Sequence, residues 1–218
     1  MITLEATMLF LTVSDEIVPV IYSLSIKERF AHVEGILACG DLPYYYLEFI
    51  VSMLDVPCYY IHGNHDSCEE TEGGKTICEP QGCISLEDHC EIVNNLLIAG
   101  LGGSLRYNQE PGAQFTETEM MFRMWRLAPR LWFNRRKYGR CLDILLTHAP
   151  PHGIHNGPDR PHHGFRAFLK LMDYFQPRYL IHGHIHKSYS FSSSTETVYQ
   201  QTTVLNTAGY RLLEVAVQ

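Results

Sequence analysis

Carboxylates, a carboxamide and imidazoles recur along this 218-residue chain in five short polar segments, each placed just after an apolar run. The segments are Ser14-Asp15-Glu16-Ile17, Gly40-Asp41, Gly63-Asn64-His65-Asp66, Thr147-His148-Ala149-Pro150-Pro151 and Gly183-His184-Ile185-His186. Oxygen and imidazole donors suit Mn, Fe or Zn ions better than a thiolate set would. The apolar runs read as buried strands, and in open α/β sheets ligands gather beyond the carboxyl ends of strands. Residues far apart in sequence can therefore converge on one metal centre.

The elements that must hold these segments are legible in outline. Residues 8–13, 35–39 and 58–61 are short apolar runs, and Tyr44–Leu54 repeats apolar residues at helical spacing, which predicts a βαβαβ opening. After an irregular stretch over 67–88, strand-like runs at Leu96–Leu101 and 142–146 bracket a predicted helix over 116–127. A further helix over 165–175 leads to a strand at 179–181, and 198–204 and 212–217 read as closing antiparallel strands. The pattern predicts an α/β protein with two packed mixed sheets flanked by helices, in one domain spanning 1–218.

A formal charge of −7 argues against a broad footprint for duplex DNA, because non-specific affinity comes from neutralising phosphates with Lys and Arg. A small phosphorylated substrate, a nucleotide included, is easier to accommodate. No apolar stretch approaches the roughly 20 residues of a membrane helix, and the first residues lack the basic start of a secretory signal, so the expected location is cytoplasmic. Seven cysteines include Cys68, Cys78, Cys83 and Cys90 after the third segment, with no C-x-x-C spacing among them. The odd count favours reduced thiols, with Cys39 and Cys58 in the core.

The ordered set resembles the calcineurin-like metallophosphoesterase superfamily, whose pattern runs D-x-H, G-D, G-N-H-D/E, a lone His, then G-H-x-H. The resemblance implies a two-sheet sandwich and two divalent ions. Asp41 would bridge them, Asn64, His148 and His184 would complete one site, and Asp15 and His186 would contribute to the other. It implies hydrolysis of a phosphodiester, in preference to a monoester, with a metal-bridging hydroxide as nucleophile. His65 is the expected non-ligand catalytic group, with Asp66 orienting it. The alternative is a non-catalytic metal-binding scaffold or interaction module on the same fold.

One position departs from the pattern: Ile17 stands where the first motif ends in His, so one cation site is expected to be weak. Glu16 is adjacent, but neighbours on an extended chain point to opposite faces. The Pro- and Gly-rich loop over 150–164 carries His152, His155, His162 and His163, of which His163 is the favoured contact with the site. Residues 100–107 could bring backbone amides and Arg106 to a phosphate, although a glycine-rich strand exit is the simpler reading. His62 and His182, each before a motif glycine, read as structural. Between Phe122 and Arg140 cations alternate with Trp125, Trp132 and Phe133, which predicts an amphipathic helix continued past Pro129 by a loop. Exposed tryptophans there would point to an oligomer or partner surface within 115–140.

Overall fold

The computed structural model describes residues 6–70, 73–74, 76–109, 112–186 and 194–217. The chain opens with β1 (Thr7–Ser14), α1 (Ile26–Arg29), β2 (Gly35–Ala38), α2 (Tyr44–Leu54) and β3 (Cys58–Tyr60). Short pieces follow: β4 (Glu69–Glu70), β5 (Thr76–Ile77), β6 (Cys83–Ser85) and β7 (Cys90–Val93), then the longer β8 (Leu96–Leu101) and the short β9 (Ser104–Leu105) and β10 (Gln114–Phe115). The second half holds α3 (Glu117–Tyr138), β11 (Ile144–Thr147), α4 (Arg166–Phe175) and β12 (Tyr179–His182). It closes with β13 (Glu196–Tyr199), β14 (Thr202–Asn206) and β15 (Gly209–Ala216).

These strands form a five-stranded sheet, β15-β1-β2-β3-β6, and a six-stranded sheet, β13-β14-β12-β11-β8-β7. In the first, only β15 runs antiparallel to its neighbour. In the second, the antiparallel strands are the edges β13 and β7. The sheets pack face to face through Phe10, Leu37 and Tyr59 of the first and Ile98, Ile144, Leu146 and Ile181 of the second. Helices α3 and α4 cover the outer face of the second sheet through Met120, Met124, Leu131, Phe168 and Leu171. Helix α2 covers the first sheet through Tyr46, Leu47 and Ile50. Strands buried on both faces explain why the sequence shows continuous apolar runs rather than alternation, and each buried Leu, Ile or Phe contributes about 1.5–3 kcal/mol.

Three expectations need correction. Helix α3 does not stop near 127 but continues through Pro129 to Tyr138, starting from a Thr116–Glu119 capping box and ending at Gly139 in the left-handed region. The N–H that Pro129 lacks would have served the carbonyl of Trp125 one turn earlier, and both residues lie on the exposed side, where water can take the bond. The run at 198–204 is a hairpin rather than one strand, turned at Gln200 with φ of 52°. Cys68 and Cys78 form a disulfide instead of staying reduced. Antiparallel pairing of Glu69 with Ile77 and Glu70 with Thr76 brings the flanking cysteines opposite each other, which linear spacing could not reveal. Cys39 and Cys58 are buried free thiols.

Behind the strand ends, α3 is tied to both sheets by one buried guanidinium. Arg123 donates to Glu87, to Asp88 Oδ1 at 2.7 Å and to the Gly102 carbonyl at 2.8 Å, and it lies 4.2 Å over the Phe115 ring. Glu87 in turn accepts from the backbone N–H of His62 at 2.8 Å and of Gly102 at 3.2 Å. Burial pushes the Glu87 carboxyl up, but His62 and Arg123 outweigh it and hold it below its ordinary 4.5. A depressed carboxyl stabilises the fold above its unfolded value, and that contribution disappears as pH falls through the lower folded value. Replacing one member of such a pair leaves the other buried without its partner, so Arg123→Met should cost about 3 kcal/mol in denaturant unfolding at pH 7. In Glu87→Gln the part of the stability loss that the native protein shows below pH 4.5 should be reduced, which unfolding titrations from pH 7 to 3 would measure.

Candidate metal centre

The polar segments meet where the carboxyl ends of both sheets face each other. Three of them leave their strands through a left-handed residue: Asp15 (φ 65°) just after β1, Asp41 (φ 55°) after β2 and His184 (φ 65°) after β12. Such φ values are uncommon outside glycine and cluster at functional sites. Glycines allow the close approach around them. A Cβ on Gly63 would lie 2.0 Å from Asp41 Oδ1, and one on Gly183 would lie 1.7 Å from Ser14 Oγ and 2.4 Å from Asp15 Oδ2.

His148 sits fully buried at the centre. Its Nδ1–H donates to the Cys39 carbonyl at 2.7 Å, which turns Nε2 towards Asn64 Oδ1 (3.1 Å), His184 Nδ1 (3.1 Å) and Asp41 Oδ2 (3.2 Å). His184 is fixed in the same manner, with Nε2–H donating to the Pro161 carbonyl at 3.0 Å and Nδ1 left facing inward. Anchoring of one ring nitrogen by a carbonyl while the other faces the centre is the arrangement of metal-ligating histidines. Among the described residues, Asp41, His148 and His184 offer ligand atoms within 4.8 Å of one another, a set that could hold a metal ion. Burial opposes charge on His148, but the Asp41 carboxylate outweighs it and lifts the imidazole to about 10. The same pair holds Asp41 below the usual carboxylate range against its own burial. Burial raises Asp15, and burial together with His148 pushes His184 well down.

Around this core the predicted residues take different places. Both Asp15 oxygens accept the His184 backbone N–H at 2.9 Å, and Ser14 Oγ bonds the same carboxylate. Asp66 accepts from the backbone N–H of Gly63 (2.7 Å), Asp41 (3.0 Å) and Leu42 (3.2 Å). Its contacts therefore brace the turns that carry Asp41 and Asn64, where orientation of His65 was expected. His65 is exposed, and its backbone N–H donates to Asp41 Oδ1 at 2.8 Å. Glu16 reaches towards His186, with Oε1 3.4 Å from Nδ1. The alternation argument fails there because Asp15 is left-handed and the Glu16 N–H closes a tight turn onto the Ser14 carbonyl at 2.7 Å. Ile17 is 40% exposed.

Two expectations are displaced by one residue. His163 bonds the Pro158 carbonyl at 2.9 Å, whereas the adjacent His162 lines the cavity and stacks 4.8 Å from the His184 ring. Arg106 pairs with Glu119 at 3.0 Å, whereas Tyr107 lines the cavity, with its hydroxyl 3.4 Å from Asn64 Nδ2. The amides of 102–104, 106 and 107 are already bonded within the protein, so the glycine-rich segment is a strand exit. Neither His162 nor Tyr107 carries a local sequence signal that separates it from its neighbour. His182 is structural: its Nε2 meets His155 Nδ1 at 2.9 Å, and burial, aided by His155, depresses it to about 3.

Two cavities open at the rim. One of about 200 Å³ is lined by Asp41, Asn64, His65, Tyr107, Pro161, His162, His184 and His186. The other, about 260 Å³, is lined by Asp41, Leu42, Pro43, Tyr44, His65, Asp66, Ser67 and Glu69. Asp41 and His65 belong to both.

Comparison with known families matches residues 30–188 to the calcineurin-like phosphoesterases. No curated protein sequence matches significantly. Among solved structures, one crystal structure superposes with a TM-score of 0.63 at 11% identity, covering 98% of this chain and all of the other. The protein TT1561 of Thermus thermophilus gives 0.60 at 13% identity, covering 98% of this chain and all of its own. GAP50, the anchor in the inner membrane complex of Plasmodium, gives 0.54 at 12% identity, covering 96% of this chain and 81% of its own. At these identities the structural likeness concerns the fold. No helix among the described residues is long and apolar enough to cross a membrane.

The glycine geometry yields a direct test. Gly183→Ala would drive a methyl group into Ser14 and Asp15, so unfolding experiments should register a loss of about 1–3 kcal/mol, the usual penalty of overpacking. Metal analysis after dialysis should find less retained cation than in the native chain. Unchanged stability and metal content would show that the turn can open without disturbing Asp15.

Proposed function

Because this chain belongs to the calcineurin-like phosphoesterases, a family of metal-binding hydrolases, we propose that it cleaves a phosphodiester bond at the centre formed by Asp41, Asn64, His148 and His184. The observation that carries this reading is the pair of adjoining cavities with His65 in the wall of both. A diester has a substituent on either side of phosphorus, and two cavities that share Asp41 and His65 as a common wall suit it better than they suit a monoester. Asp41, Asn64, His148 and His184 would hold one divalent cation, of the Mn, Fe or Zn type by donor chemistry. Asp15, Asp41 and His186 would hold a second. Such cations supply Lewis acidity towards a phosphoryl oxygen and lower the pKa of water.

The chain's own groups perform the rest. His65, at the junction, donates a proton to the departing oxygen. Asp66 positions Asp41 and Asn64 by gripping the backbone on both sides. The larger cavity presents Asp41, Asp66 and Glu69, with no Lys or Arg in its lining among the described residues. It therefore favours a neutral or cationic alcohol over a further phosphate. Glu16, 3.4 Å from His186, compensates for Ile17 at the second cation. The exposed Ile17, which has no metal-binding atom, also favours the competing reading of a metal-binding scaffold without turnover.

Turnover of aryl and alkyl phosphodiesters and monoesters with added Mn2+ separates these readings. Diesters should be preferred by kcat/KM, whereas metal retention without turnover on any ester would support the scaffold. His65→Ala should keep bound metal and lower kcat by about 10² to 10⁴, with a smaller loss for good leaving groups. An equal loss for nitrophenyl and alkyl esters would exclude proton donation by His65. Glu16→Gln should raise the Mn2+ concentration required for half-maximal activity. If Ile17→His lowers that concentration while Glu16→Gln leaves it unchanged, the second cation site is depleted rather than compensated.

A further inference from the structure

Helix α3 presents two unlike faces. The inner one packs on the second sheet, as described above. The outer one carries Phe122, Trp125, Trp132 and Phe133, joined by Tyr174 of α4, and all five side chains are between 41% and 65% exposed. Three of the rings touch, with centroids 6.3 Å apart for Trp125 and Trp132 and 5.6 Å apart for Trp125 and Tyr174. Arg126, Arg130, Arg136 and Lys137 are exposed on the same helix. No Asp or Glu occurs between Glu119 and Asp143. The helix as a whole carries six cationic and two anionic side chains, a formal +4 within a chain of −7. The nearby carboxylates are engaged by protein partners, Asp88 chiefly by Arg123, with Arg126 farther off at 4.0 Å, and Asp173 by Tyr199 and Gln200. At the N-terminal end of the face a cavity of about 450 Å³ opens, lined by Phe115, Thr118, Phe122, Arg106, Arg123 and one carboxylate, Glu119, which pairs with Arg106.

We propose that this face docks the protein onto a phospholipid bilayer bearing anionic headgroups. Aromatic rings with an apolar body settle at the level of the headgroups, and arginines beside them reach the lipid phosphates. Each cation near an anionic surface strengthens binding, while charge farther than a Debye length of about 8 Å is screened, so a net acidic chain can still dock through a basic face. The cavity beside Phe122 offers room for hydrocarbon at the edge of the same face. A second copy fits less well, because an isologous contact would bring Arg126 and Arg130 against their own counterparts. Nucleic acid fits less well too. Its bases need stacking platforms along a basic groove, whereas Trp125, Trp132 and Tyr174 lie against one another on the convex surface of a helix.

Trp125 and Trp132 are the chain's only tryptophans, so intrinsic fluorescence reads this face directly. The full chain, titrated with vesicles of phosphatidylcholine alone or mixed with phosphatidylglycerol, should shift its emission to the blue and co-float only with the anionic vesicles, less so as salt rises. Arg126→Gln and Arg130→Gln should each weaken vesicle binding about fivefold, and Trp132→Ser should weaken it further. Melting temperature and hydrolysis of a soluble ester report whether these variants remain folded. Absence of a shift with anionic vesicles, or equal binding to neutral ones, would overturn the proposal. So would a concentration-dependent blue shift without lipid, which marks self-association, or an oligonucleotide that binds more tightly than anionic vesicles at the same salt.

Discussion

The polar centre depends on a buried hydrogen bond that crosses between the two sheets where their strand ends face each other. The His148 ring leaves the second sheet just after β11 and donates to the carbonyl of Cys39, which follows β2 in the first. With that nitrogen committed, the other faces Asp41, Asn64 and His184. The bond is buried, so breaking it would leave both a carbonyl and an imidazole without water to replace it. Strand-end turns from both sheets are thereby held to one separation, and Gly183 is a position where that separation leaves no room for a methyl group beside Ser14 and Asp15.

The supports of this centre are local turns as much as strands. Asp66 ties the backbone on both sides of the first-sheet ligands, Asn206 donates to the Ile185 carbonyl at 2.8 Å beneath the last motif, and Asp15 accepts the amide of His184 across the sheets. Farther back, Arg123 couples α3 to Glu87 and hence to the amide of His62, so the helix that covers the second sheet also steadies the segment carrying Asn64.

The same helix illustrates how one element can serve two environments. Its inward stripe is ordinary core packing against β8, β11 and α4. Its outward stripe carries rings that stay 41% to 65% exposed among the described residues, with no Asp or Glu in the sequence between its cations. At the centre, the missing imidazole at Ile17 and the reach of Glu16 show a related economy. A left-handed residue redirects the chain by one turn, and a carboxylate arrives where the sequence alternation alone would have sent it away.

The order of the motifs after apolar runs pointed to the two-sheet α/β fold and to the strand ends as the site, and the resemblance to the calcineurin-like family grouped Asp41 with Asn64, His148 and His184. The fold and the strand-end site follow from hydrophobic pattern and from residue chemistry, both of which are written locally. Other features depended on distances that only the folded chain defines. Which of two adjacent loop residues faces the cavity, His162 or His163 and Tyr107 or Arg106, is decided by bonds to Pro158 and Glu119 that lie outside any motif. The Cys68–Cys78 disulfide arises from the pairing of β4 with β5, and the length of α3 from a proline whose lost hydrogen bond falls on the solvent side. Sequence patterns register what a residue is and how often a type recurs. Rotation about single bonds and the packing of distant segments determine where each side chain ends, and no local pattern encodes those.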